Sequence, residues 1–127
     1  MILMNDFKAE PVKLLNEIKE AANRVVDSGW YVLGKEVEKF EKEWALSCGL
    51  AYGVGVGNGM DAIEIALRAL DIGTGDEVIT TPMTAFASVL AILRAGATPV
   101  LADIRHDSAL MSIQSVKRCL TKNTKGI

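Results

Sequence analysis

Gly57-Asn58-Gly59-Met60-Asp61-Ala62 stands between a short apolar run, Ala51-Tyr52-Gly53-Val54-Gly55-Val56, and an apolar-periodic stretch over residues 62–70. The run before it is bounded by glycine and suits a buried strand, even with glycines at 53 and 55. The stretch after it reads as a helix, stopped by Asp71-Ile72-Gly73-Thr74-Gly75. A small-residue turn between a strand and a helix lets the backbone turn tightly. The free amides at the helix start can then hold a phosphate, and the helix dipole favours an anion there. A plain tight turn with an ordinary helix cap accounts for the same residues, and the turn alone does not separate the two.

Taken literally, the turn also fits the degenerate dinucleotide fingerprint, which needs an acid about 20 residues on, at the end of the second strand. Asp76 and Glu77 lie at that distance but open the strand, which closes as Thr80-Thr81-Pro82. Dinucleotide binding is therefore the weaker alternative.

Working outward, residues 77–80 form the next strand and 84–95 the next helix, closed by Gly96. Residues 98–103 give a further strand with Pro99 expected at its start. A short helix follows over 112–120, and Lys125-Gly126-Ile127 looks like a strand beginning. Strand and helix alternate as in parallel βαβ units, whose strands need helices on both faces of the sheet. Upstream, apolar residues 14, 15, 18, 22, 25 and 26 make a helical stripe over 10–27, with Pro11 in the first turn and Ser28-Gly29 as the stop. A second helix is expected over 36–48, with Val37, Phe40, Trp44 and Cys48 on one face and Gly49 as terminator. Its alternating lysines and glutamates make a solvated face. The expected class is α/β, a partial parallel sheet flanked by helices. A helical segment, 1–49, precedes an incomplete α/β domain, 50–127, and the chain ends where another strand would continue.

Half of the 127 residues are apolar and 24% are charged, so the chain reads as globular rather than disordered. Sixteen acids against fourteen bases leave a net charge of −2, which argues against a nucleic-acid partner. No apolar run approaches the roughly 20 residues that span a bilayer, so no membrane partner is expected. Residues 1–6 are apolar at first but too short, and without basic flanks, for a signal-peptide core. Cys48 and Cys119 match no metal or redox spacing and read as packing residues, and a reducing cytoplasm is the simplest location. His106, beside Arg105 and Asp107, reads as an exposed loop residue.

The motifs taken together carry more than their spacing. Ser28-Gly29-Trp30-Tyr31-Val32-Leu33-Gly34-Lys35-Glu36-Val37-Glu38-Lys39-Phe40-Glu41 resembles the opening motif of the DegT/DnrJ/StrS-type nucleotide-sugar aminotransferases. Gly57-Asn58-Gly59-Met60-Asp61-Ala62-Ile63 resembles their phosphate-binding turn. Gly73-Thr74-Gly75-Asp76-Glu77-Val78-Ile79, Thr81-Pro82-Met83-Thr84-Ala85-Phe86-Ala87-Ser88 and Ala95-Gly96-Ala97-Thr98-Pro99-Val100, followed by Asp103, continue in the same order. The resemblance covers nearly the whole chain.

It implies the amino-terminal part of the large domain of a type I pyridoxal-phosphate enzyme. Such enzymes are homodimers that move an amino group, usually from glutamate, onto a nucleotide-linked keto sugar, in polysaccharide biosynthesis. Carried onto this chain, the backbone amides around Gly59 and Met60 would hold the cofactor phosphate, and Phe86 would stack on the pyridine ring, fixing its plane and shielding it from water. Taken without the resemblance, Phe86 reads as a core aromatic. Many relatives have threonine or serine where this chain has Met60; methionine offers no comparable donor, so only backbone binding carries over. Asp61 would cap the helix with its side chain directed away from the phosphate. Trp30 and Tyr31 would line the sugar-nucleotide pocket, with packing between the two helices as the alternative.

The chemistry needs a lysine that holds the cofactor covalently and an acid that pairs with the pyridine nitrogen. The resemblance places both beyond residue 127, and Lys35, Lys39 and Lys117 read as solvated charges. No catalytic residue is therefore expected within this chain, which on its own is expected to be inactive. The alternatives are a sugar dehydratase of the same family, in which histidine replaces the lysine, and a non-catalytic module whose role is association.

Overall fold

The computed structural model describes residues 6–127 and divides into two compact units, Met1–Gly55 and Val56–Ile127. The amino-terminal run weighed above as a signal-peptide core falls in residues 1–5, outside the described ones, apart from Asp6.

In the first unit, a 3-10 turn over Phe7–Ala9 is capped by Asp6, whose carboxylate accepts from the Lys8 amide at 3.1 Å. Helix α1, Val12–Ser28, begins directly after Pro11. It stops at Gly29, which takes the left-handed conformation (φ 65°) and donates its N–H to the Val26 carbonyl, a terminus that favours glycine. Helix α2, Lys35–Ser47, carries the i,i+4 pairs Lys39–Glu43 and Lys42–Glu38 on its charged face. Ala45 is the helix's one buried residue. On the apolar face of α2, Phe40 and Trp44 are exposed and stack on each other at 5.9 Å between ring centroids.

Residues 51–56 correct the sequence reading. They pair with no strand among the described residues. Gly53 and Gly55 instead bring the backbone against α2: a Cβ on Gly53 would meet the Glu41 carbonyl oxygen at 2.9 Å, and the Gly55 amide donates to Glu41 Oε1 at 2.6 Å. The amide that a strand would give to a ladder goes to a side chain, and the missing side chains permit the approach.

The second unit is the α/β layer. Helix α3 (Gly59–Ala69) leads to β1 (Glu77–Thr80), α4 (Phe86–Arg94), β2 (Thr98–Leu101), α5 (Ile113–Cys119) and β3 (Thr124–Gly126). The three strands form one parallel sheet in the order β2-β1-β3. Val78 and Ile79 of the central strand are buried, and Ile79 is 1% exposed. Leu67, Ile72, Val78, Ile92, Ala95 and Ala97 close into one apolar cluster beneath α3 and α4. Pro99 is the second residue of β2, not the first as expected, and lies opposite Val78. It is tolerated because β2 is an edge of this sheet, where a missing N–H costs no ladder bond.

Candidate functional site

The sheet order marks where a ligand belongs. From β1 the chain crosses to β2 on one side and then to β3 on the other, so the succession reverses at β1. In open parallel sheets, ligands bind outside the carboxyl ends of the strands at such a switch point. The loop over residues 81–85 leaves the carboxyl end of β1 and delivers Phe86 as the first residue of α4. Phe86 is 72% exposed, so it is not a core aromatic of the described chain. The Thr84 and Ser88 hydroxyls pair at 3.0 Å on either side of it in sequence.

The turn before α3 has a second feature. The first amides of a helix have no partner within it. Here Asn58 is the cap: its Oδ1 accepts from the Asp61 N–H at 3.0 Å, and its carbonyl accepts from the Ala62 N–H at 3.1 Å. The N–H groups of Gly59 and Met60, between Asn58 and Asp61, meet no acceptor among the described residues. Space beside Gly59 is open: apart from its chain neighbours and its own helix backbone, no described atom lies within 4 Å of where a Cβ would stand. Two unclaimed donors at the positive end of a helix dipole suit an anion.

The Asp61 side chain turns back on the turn. Its Oδ2 accepts from Asn58 Nδ2 at 2.8 Å, and its Oδ1 lies 3.8 Å from Nη1 of Arg94, the last residue of α4. Arg94 Nε reaches Glu64 Oε2 at 2.8 Å, and Glu64 Oε1 meets Arg68 Nε at 3.0 Å. The sequence reading missed Arg94. A cationic residue in the last turn of a helix is ordinary dipole pairing, and no spacing rule links it to an acid on another helix.

Trp30 and Tyr31 belong to the first unit. They occupy the α1–α2 connection, 62% and 66% exposed, beside a cleft of about 350 Å³ that Arg24, Lys35 and Val37 also line. Local bonds fix both side chains: Trp30 Nε1 donates to the Val32 carbonyl at 2.6 Å, and the Tyr31 hydroxyl donates to the Val26 carbonyl at 3.3 Å. Gly34 is held close, since a Cβ there would meet the Trp30 carbonyl oxygen at 3.0 Å. Arg24 Nε bonds Glu36 Oε1 at 3.0 Å at this cleft; that bond holds the Glu36 carboxyl below the usual carboxylate range and raises the Arg24 guanidinium. Two flat polar-tipped rings beside Lys35 can take a planar, anionic ligand. Among the described residues, no group of three or more His, Cys, Asp and Glu is placed to hold a metal ion, and no helix is long and apolar enough to cross a membrane.

Residues 13–127 match the sequence pattern of the DegT/DnrJ/EryC1/StrS aminotransferase family. The chain is 43% identical over 127 residues to a dTDP-3-amino-3,6-dideoxy-alpha-D-galactopyranose transaminase of Aneurinibacillus thermoaerophilus, which covers all of this chain and 35% of the relative. The crystal structure of DesV from S. venezuelae, in complex with a ketimine intermediate, superposes with a TM-score of 0.87 at 44% identity, covering 94% of this chain and 32% of that one. A Bacillus subtilis structure with bound cofactor PMP superposes at 0.83 and 28% identity, covering 91% of this chain and 26% of that one. The chain spans about a third of the length of the curated relatives it matches.

Proposed function

We propose, from the premise that this chain belongs to the DegT/DnrJ/EryC1/StrS aminotransferase family, that it supplies the phosphate cradle and ring wall of a pyridoxal-phosphate-dependent aminotransferase. The reaction transfers an amino group from glutamate to a nucleotide-linked keto sugar. The observation that carries this reading is the pair of unclaimed amides, Gly59 and Met60, at the start of α3.

The described residues fit the cofactor. Gly59 and Met60 offer two donors and open space to a phosphate. Met60 adds no hydroxyl, so the cradle is made of backbone alone. Phe86 offers an exposed flat face beyond the carboxyl end of β1, suited to fixing a ring's plane and excluding water from it. Bound pyridoxal phosphate supplies the electron sink and the carrier that takes the amino group from donor to acceptor. Trp30 and Tyr31, each held by its own hydrogen bond, are assigned to the sugar nucleotide. Residues 50–127 are assigned as the incomplete cofactor-binding domain and 1–49 as the helical segment preceding it.

Assembly as a homodimer is part of the same reading. The large apolar side chains left exposed on the first unit, Phe40, Trp44 and Leu46 among them, favour burial by another polypeptide.

The test is an assay of residues 1–127 beside a longer aminotransferase that contains them, each with pyridoxal phosphate, glutamate and a nucleotide-linked keto sugar, following 2-oxoglutarate. The longer protein turns over and residues 1–127 do not, because none of their lysines holds the cofactor covalently. Steady turnover by residues 1–127 that survives repurification overturns the second half. A longer protein that forms no 2-oxoglutarate with any nucleotide-linked keto sugar overturns the first.

A further inference from the structure

We propose that Arg94 is a positioning residue for the phosphate-holding turn: it neutralises the carboxylates beside the start of α3, so that the free amides of Gly59 and Met60 meet an anion without a net negative charge next to them. The inference rests on the reading that those amides hold a phosphate.

Asp61 is the third residue of α3, and its carboxylate is fixed beside the turn. Oδ2 is held by Asn58 Nδ2 at 2.8 Å, and a Cβ on Gly57 would stand 3.1 Å from the same oxygen. A full negative charge at that place stabilises the helix but repels a phosphate at the next amides. The opposing charge comes from α4. Arg94 Nη1 lies 3.8 Å from Asp61 Oδ1, and Nε lies 2.8 Å from Glu64 Oε2.

The two contacts divide the work. Glu64 is the least exposed of the four charged side chains, at 12%, and its short bond fixes the guanidinium. Arg68 steadies the same group from behind, bonding Glu64 Oε1 at 3.0 Å and donating to the Arg94 carbonyl oxygen. The longer contact to Asp61 is then a through-space charge effect. Two acids and two bases sum to zero; removing Arg94 leaves one net negative charge beside the turn.

The test uses the ¹⁵N-labelled 127-residue chain titrated with inorganic phosphate at fixed, low ionic strength, reading the Gly59 and Met60 amide resonances. Arg94→Gln is expected to weaken phosphate binding roughly two- to fivefold, the scale of one charge at a helix end. Arg94→Lys restores most of the loss. Adding Asp61→Asn to Arg94→Gln restores it as well, which a mere tie between α3 and α4 does not predict, because the tie stays broken. Glu64→Gln removes an acid without removing Arg94 and tightens binding about twofold. All differences shrink in salt.

If Arg94→Gln binds phosphate as the unsubstituted chain does, or Asp61→Asn gives no recovery, Arg94 is a structural tie and the inference is overturned. If Arg94→Gln does not fold, unchanged affinity in Glu64→Gln overturns it. An unsubstituted chain whose Gly59 and Met60 amides do not respond to phosphate overturns the reading of the turn itself, a distinct result.

Discussion

Asn58 and Asp61 hold each other by two reciprocal hydrogen bonds: Asn58 Oδ1 accepts from the Asp61 backbone amide at 3.0 Å, and Asp61 Oδ2 accepts from Asn58 Nδ2 at 2.8 Å. The cap takes the third amide of α3 and leaves the first two. One pair of side chains thus starts the helix and defines which donors face a ligand.

Replacing Asn58 with alanine removes both bonds and is expected to destabilise the second unit by about 1 kcal/mol, the usual cost of losing a helix cap. Hydrogen exchange should quicken first at Asp61 and its neighbours in α3. Unchanged exchange at Asp61 would mean that the cap contributes nothing in solution.

Phe86→Ala separates stability from binding. Phe86 is 72% exposed, so the unfolding free energy of the chain should change by no more than about 0.5 kcal/mol. In an aminotransferase containing this chain, pyridoxal-phosphate affinity should fall by about 1 kcal/mol, through loss of the stacking face. A large stability loss with unaltered cofactor affinity would return Phe86 to the core.

Ile79 tests the opposite case. It is 1% exposed at the middle of the central strand. Ile79→Ala should cost roughly 2–5 kcal/mol, from lost burial plus the cavity left behind. Thermal unfolding followed by circular dichroism measures it; a loss under 1 kcal/mol would place the core elsewhere.

These contrasts show what was legible in the sequence. Strand β1 was readable because Val78-Ile79 is a β-branched pair bounded by turn signals, and α3 because its apolar period follows a small-residue turn. The end of α1 was readable because Gly29 occupies a left-handed position. Residues 51–56 misled, because an apolar run gives the same pattern whether it joins a ladder or lies along a helix, and only the approach of Gly53 and Gly55 to Glu41 decides. Among the site residues, Gly59 and Met60 were named from the motif. That their amides are the unclaimed ones depends on where the Asn58 side chain goes. The exposure of Phe86 was hidden, since an aromatic in an apolar helix pattern reads as core. Arg94 could not be found at all, because its contacts cross between helices.

The Arg24–Glu36 pair gives a pH dependence. Its hydrogen bond and charge keep Glu36 ionised below the ordinary glutamate range. A carboxyl lowered by folding adds stability above its unfolded pKa and loses it as pH falls through the folded one. The tie between α1 and α2 should therefore hold at neutral pH and fade at acidic pH, only after free glutamates have protonated. Carboxyl ¹³C titration of Glu36 reads this directly, and Arg24→Gln should move its midpoint up. A midpoint the same with and without Arg24 would show that the pair is not formed.

The most direct measurement is a crystal structure of an aminotransferase containing this chain, with pyridoxal phosphate bound. The phosphate oxygens should lie within hydrogen-bonding distance of the Gly59 and Met60 amides, at ~2.7–3.2 Å, with the Phe86 ring against the pyridine. A phosphate bound away from the start of α3, with those two amides facing water, would contradict the assignment of this turn as the cradle.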